Sequence, residues 1–172
     1  MMAAIKNVVA VLALCALGAC SGYGGAGLVV DRDTESDVVR TMGAPAMEWT
    51  NADGSRQLVY PRGPGGVHTF MVRIDADGKL SGIQNVLTEE VFAQVRSGLD
   101  ADAVLRILGP SYPGWTTYYP ARNELAWEWR YCDEWRRLAR FDVLFDATTR
   151  TVRSSMTRRE ECGPPGACWC AR

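Results

Sequence analysis

Charge of one sign is missing from this chain: 19 Lys and Arg stand against 20 Asp and Glu, a formal net charge of −1 over 172 residues. No long-range field gathers a polyanion, and a nucleic-acid partner is not expected, although Arg130, Arg136, Arg137 and Arg140 cluster locally, as do Arg158 and Arg159. Histidine is almost absent. The single one, His68, sits beside a Gly-rich loop with no GxSxG or cysteine-nucleophile pattern to serve, so it reads as a strand-edge side chain. The loop itself, 63–66 (GPGG), lacks the GK[ST] of a phosphate loop and reads as a hairpin connection. Asp75 and Asp77 in DADG lack the far ligand that a calcium loop requires, so that segment reads as a turn. The adjacent pairs Glu89/Glu90 and Glu160/Glu161 suit a helix start and a solvated tail. The expectation is a protein that is not an enzyme and carries no cofactor or metal.

Long apolar runs are also lacking. The longest, 8–17, is about half the roughly 20 residues of a membrane span, which points instead to a leader. Lys6 supplies the positive start, the run supplies the apolar middle, and Gly18 and Ala19 supply the small residues of a cleavage site. The stretch 17–20 (LGAC) looks like the lipobox of bacterial lipoproteins, which implies cleavage before Cys20 and lipids (palmitate-type chains) on its thiol and new amino terminus. Ser21, in place of Asp, resembles lipoproteins sent to the outer membrane. An ordinary signal peptide with a free cysteine beside the cut is the alternative. Two or more acyl chains anchor stably where one is marginal.

Four of the six cysteines then remain: Cys132, Cys162, Cys168 and Cys170. An even number in an oxidising compartment points to two disulfides. Cys168 and Cys170 would close a very small ring, so the favoured pattern joins Cys132 to one of them and Cys162 to the other. A four-thiolate zinc site is the rival, but spacings of 30, 6 and 2 lack paired CxxC knuckles.

What is present is a repeat. Residues 99–115 (LDADAVLRILGPSYPGW) are echoed by 36–49 (SDVVRTMGAPAMEW): Gly43 and Gly109 stand 66 apart, as do Trp49 and Trp115. Each copy reads as a short helix with a start and a stop. Asp100 caps the second, Val104, Leu105 and Leu108 share a face, and Gly109 and Pro110 end it. In the first, Thr34 or Asp33 caps, Asp37 completes a capping box with Thr34, Val38, Val39 and Met42 form the stripe, and Gly43 stops it. Helices this short are marginal alone and need a sheet to lie on.

Strands follow each helix. Residues 57–60, 67–75 and 80–85 read as three strands, with Phe70, Val72 and Ile74 alternating against Met71 and Arg73 as in a half-buried antiparallel strand. Thr88 then caps a helix with Val91, Phe92 and Val95 on one face and Gly98 as its stop, making a helical hairpin with the helix from Asp100. Leu125, Trp127, Trp129 and Tyr131, then Phe141, Val143 and Phe145, give two strands with strongly aromatic faces. The strand 141–146 lies 71 residues after 70–75, so the second copy has longer loops.

The expected organisation is α+β: a leader (1–19), a flexible tether (20–28), two tandem units (29–86 and 87–157), and a Cys-rich tail (158–172). Each unit is a short helix or helical hairpin packed on an antiparallel three- to four-stranded sheet. With its lipobox, the run 95–110 (VRSGLDADAVLRILGP), a downstream Trp, an aromatic strand and the strand end 143–146 (VLFD), the chain resembles the SmpA/OmlA (BamE-like) family of outer-membrane lipoproteins. The resemblance is strongest over about 92–152. It implies a periplasm-facing, non-enzymatic binding or scaffold lipoprotein, an accessory of β-barrel assembly or envelope integrity, with envelope proteins as partners. The doubling of the unit also resembles the β-lactamase inhibitor protein fold, which implies a second reading: an inhibitor of an extracytoplasmic hydrolase using a concave sheet face.

The aromatic set Trp115, Tyr118, Tyr119, Trp127, Trp129, Tyr131 and Trp135 is the feature with a claim to function, and within it the alternation of Trp127, Trp129 and Tyr131 reads as a core face. Tyr112, Trp115, Tyr118 and Tyr119 lie in a Pro- and Gly-bounded stretch that is harder to bury, and are the candidate partner-binding residues.

Overall fold

The computed structural model describes residues 23–63, 65–161 and 168–170. The leader, Cys20 and Cys162 lie outside the described residues. The chain is α+β with two four-stranded antiparallel sheets, each with its strands in sequential order. Helix α1 (Glu35–Met42) precedes β1 (Met47–Thr50), β2 (Arg56–Pro61), β3 (Thr69–Ile74) and β4 (Leu80–Asn85). Helices α2 (Glu89–Phe92) and α3 (Ala101–Leu108) precede β5 (Thr117–Tyr119), β6 (Glu124–Cys132), β7 (Leu138–Asp146) and β8 (Val152–Arg159).

Both eight-residue helices begin where the side-chain chemistry dictates. The Thr34 backbone N–H donates to Asp37 Oδ2 at 2.8 Å while Thr34 Oγ1 accepts from the Asp37 backbone, a capping box; Asp100 Oδ1 accepts from Ala103 N at 2.7 Å. Both end on a glycine in nearly the same conformation, φ 88 and ψ −171 at Gly43, φ 73 and ψ −172 at Gly109. That region is essentially glycine-only.

Three local expectations change. Helix α2 stops at Phe92 instead of running to Gly98, because Gln94 and Val95 tighten to i→i−3 bonds and Gly98 N donates across to Val152 O. Two strands absent from the sequence reading, β1 and β5, bring Trp49 and Tyr118–Tyr119 into the sheets. The 3-10 turn Tyr23–Gly25, within the segment read as tether, docks where Gly24 meets the Phe70 ring and Gly25 meets Ile83 and Met42.

The first sheet is covered on both faces, and this is what joins the two halves of the chain. Val38 and Met42 of α1 cover Leu58, Tyr60, Val72, Ile74 and Leu80. The opposite face, with Val59 and Met71, belongs to the larger core, which continues through α2 and α3 to the aromatic face of the second sheet. Met71 is therefore buried, not on the wet side of a half-buried strand. Helix α3 meets the first sheet directly: Gln57 Nε2 donates to Arg106 O at 2.6 Å, and the Arg106 guanidinium lies 5.1 Å from the Trp49 ring centre. Burying a side chain such as Leu108 or Val104, both fully enclosed, contributes about 1.5–3 kcal/mol each.

A disulfide joins Cys132 to Cys170 with Cα atoms 6.1 Å apart, and takes two of the four thiolates a zinc site would need. Cys168 is disulfide-bonded as well. The disulfide holds 168–170 beside the β6–β7 tip in an isolated antiparallel bridge between Arg137 and Trp169, where Leu138 N donates to Cys168 O and Cys170 N to Arg136 O.

Candidate functional site: a cleft between the two sheets

Pro110 turns the chain away from the end of α3, and residues 110–116 cross from the first sheet to the edge of the second. A 3-10 turn, Pro113–Trp115, sets the Trp115 indole with the Tyr112 ring edge-on at 4.8 Å between centroids. Opposite stands the β2–β3 loop. Gly65 there approaches so closely that a Cβ would lie 2.5 Å from Trp115 Cη2, and its φ of +64 is a second reason for glycine. On the other side the Arg140 guanidinium lies 3.9 Å from the Trp115 ring centre, a cation–π contact. Trp115 is thus clasped between a loop of the first sheet and a cation of the second.

Beside it opens a cleft of about 370 Å³, within the size range of small-ligand and side-chain pockets. Buried Thr69, Leu87 and Trp129 form its floor, with Pro61, His68, Pro110 and Tyr112 around the mouth. The Trp129 indole N–H is turned to Gly109 O at 3.3 Å, so its apolar face is what the floor offers. Burial pushes His68 below the usual histidine value, which keeps it neutral near pH 7. It stacks on Phe70 with ring centres 5.8 Å apart, as a strand-edge histidine does.

The outer face of the second sheet is charged. Arg140 reaches Glu128 at 2.8 Å and Glu160 at 2.9 Å, Arg130 reaches Glu160 at 2.6 Å, and Arg158 reaches Glu128 at 2.8 Å and Asp142 at 2.6 Å. Three guanidiniums and three carboxylates balance, so Arg130, Arg140 and Arg158 of the local arginine clusters are spent on the fold. Burial raises the Asp142 carboxyl, outweighing Arg158, and its Oδ1 is buried without a hydrogen-bond partner. Burial also acts to raise Glu160, but hydrogen bonds from Arg140 and Arg130 outweigh it and hold that carboxyl below its usual value.

The four candidate aromatics separate. Tyr112 and Trp115 meet at the cleft; Tyr118 and Tyr119 are exposed on β5, the first bonded to Asn123 Oδ1 at 3.3 Å and the second beneath the Arg122 guanidinium. Trp127, Trp129 and Tyr131 are buried under α2 and α3, with Phe92 stacked on Phe141 and edge-on to Tyr131. Among the described residues the most exposed large aromatics are Trp135 at 65%, a member of the aromatic set singled out in the sequence, and Trp169 at 63%, which sequence reasoning did not single out. The signal for Trp169 was its place between two cysteines.

The chain is thus an α+β protein with a largely apolar cleft between two antiparallel sheets. No protein-family model, curated protein or solved structure matches the chain.

Proposed function

We propose that this chain is a non-enzymatic binding or scaffold lipoprotein of the bacterial envelope, anchored through lipid on Cys20 at the outer membrane and facing the periplasm. In this reading the two sheets with their helices are tandem BamE-like units, and the protein serves β-barrel assembly or envelope integrity by holding a partner protein. The observation that carries the binding role is the cleft at the junction of the units, an apolar floor ringed by Tyr112, Trp115 and three prolines. Such a site suits an apolar side chain of a partner segment. The matching Gly43 and Gly109 conformations support the tandem reading, and the stretch 17–20 supports the anchor.

The test is site-specific photocrosslinking in the native envelope. A photoreactive phenylalanine replacing Tyr112 is expected to trap a discrete envelope protein, whereas one replacing exposed Lys79, on the first sheet's far turn, is not. Equal labelling from both positions, or none from Tyr112, overturns the cleft as the contact. Separately, Cys20→Ala is expected to move the protein from the membrane to the soluble fraction, and retention in the membrane overturns the lipid anchor.

A further inference from the structure

Strand β8 is an edge. Its side toward β7 is fully used: the register pairs Arg140 with Arg158, Asp142 with Met156 and Leu144 with Ser154, and continues at Glu160 N, which donates to Leu138 O at 3.0 Å. Antiparallel pairing alternates, so the residues between these, Ser155, Thr157 and Arg159, turn their backbone N–H and C=O groups away from β7. Val152, at the strand's start, spends its outward pair on the 98–99 segment, donating to Leu99 O and accepting from Gly98 N. The outward backbone groups of Ser155, Thr157 and Arg159 have no backbone partner among the described residues; the 95–99 segment borders the edge up to Ser155, whose hydroxyl donates to Val95 O at 3.5 Å, and Thr157 and Arg159 lie beyond it.

An open edge of this kind is a template for another strand. Its side chains restrict which one. The strand VRSSMTRR carries three arginines and no acid; beyond its end Glu160 is engaged by Arg130 and Arg140, and of the carboxylates lining the hollow beside Arg159, Glu89 accepts from the Tyr131 hydroxyl and Asp133 is paired with Arg137, which leaves Glu134. Arg153 and Arg158 answer to Asp146 and Asp142 within the sheet, whereas Arg159 is exposed and makes no ion pair among the described residues. Exposed Met156 adds an apolar contact on the outer face. A second copy of β8 would bring arginines against arginines with no acid on either strand, which disfavours self-pairing.

We propose that β8 is a strand-addition site that takes an extended, acidic segment of a partner protein, its backbone completing the hydrogen bonds of Ser155, Thr157 and Arg159 and a carboxylate meeting Arg159. This surface is separate from the cleft, and the proposal does not depend on the cleft's role.

The experiment uses the full chain with its disulfides intact and two capped synthetic peptides, one alternating glutamate with valine and one alternating lysine with valine. The acidic peptide is expected to slow amide exchange at Ser155, Thr157 and Arg159 by about tenfold or more, as local protection does, and the basic peptide to leave it unchanged. Thr157→Pro removes one outward N–H at a position where an edge strand tolerates proline, and is expected to abolish binding, while Thr157→Val keeps it. Arg159→Glu, on an exposed side chain that keeps the fold, is expected to weaken binding up to about fivefold. Equal binding of both peptides, unchanged affinity in Thr157→Pro and Arg159→Glu, protection confined to Tyr112 and Trp115, no protection by either peptide, or dimerisation of the free chain through β8 in sedimentation each overturn the proposal.

Discussion

Replacing Gly109 by alanine is expected to destabilise the chain more than the same change at Gly43, although the two glycines end equivalent helices in the same backbone conformation. At φ 73 and ψ −172 the conformational cost to a residue with a Cβ is about 1–3 kcal/mol, and the corresponding values at Gly43 incur the same cost. The surroundings differ. A Cβ on Gly43 has nothing within 4 Å, whereas one on Gly109 would lie 2.7 Å from Val59 Cγ1 and 3.0 Å from Thr69 Cγ2. Forcing a methyl into packed surroundings costs about 1–3 kcal/mol more, so Gly109→Ala is expected at about 2–6 kcal/mol against about 1–3 for Gly43→Ala. Urea denaturation followed by tryptophan fluorescence measures both, and Val59→Ala in the Gly109→Ala background should recover part of the difference, since it removes the methyl that is struck. Equal losses for the two glycines, or no coupling to Val59, would refute the claim that α3 is wedged against the first sheet.

Thr34→Ala, which breaks the capping box of α1, should cost about 1 kcal/mol in the same assay. Cys132→Ser should lower stability by about 4 kcal/mol on loop-closure grounds, the closed loop spanning a separation of 38, and should release the 168–170 segment, seen as faster exchange of the Cys170 amide. Acid titration separates two opposite signs. Asp37 and Asp146 are held down to about 2, Asp37 chiefly by its Thr34 backbone hydrogen bond and Asp146 by that of Thr149, so each contributes stability above the usual value of 3.8 that is lost as pH falls toward 2. Asp142 runs the other way: burial raises it, so its protonated form favours the fold and the advantage disappears as pH rises through its folded value. Melting temperature should therefore fall between pH 4 and 2 overall, while Asp142→Asn should gain on the wild type as pH rises from 3 to 7; a constant difference between the two would contradict the assigned burial effect.

Where the sequence was legible, the information was local. Thr34, Asp37 and Asp100 announce helix starts because their side chains bond the nearest backbone N–H groups, and Gly43 and Gly109 announce the ends because few other residues adopt that conformation. The aromatic alternation from Leu125 to Tyr131 identified a buried face correctly, since period two is a property of the strand itself. Strand β1 was missed because four residues between Pro45 and an Asp-Gly turn are too few to show a period, and α2 was read too long because Val95 continues its apolar stripe after the hydrogen bonding has tightened. The covering of the first sheet from both sides is a long-range fact, yet it left a trace: Leu58, Val59 and Tyr60 are consecutive apolar residues, all buried, as in strands with no wet face. At the cleft, Tyr112 and Trp115 were legible from their awkward loop. Gly65 and Arg140, which hold Trp115 from either side, were not, because each comes from a distant stretch of chain and neither advertises its partner.

The ties between the 98–101 segment and the turn before β8 carry a consequence for the order of assembly. Gly98 N reaches Val152 O, Val152 N reaches Leu99 O, and Ala101 N reaches Arg150 O, so the start of α3 is fastened by residues some fifty positions later. A chain delivered from its N-terminus can lay α1 on one face of the first sheet early, but Val59 and Met71 on the other face stay wet until α3 settles, and α3 is not fastened until β8 has arrived. The first half of this protein therefore spends its youth with an exposed apolar side, finished only by nearly the last strand to emerge.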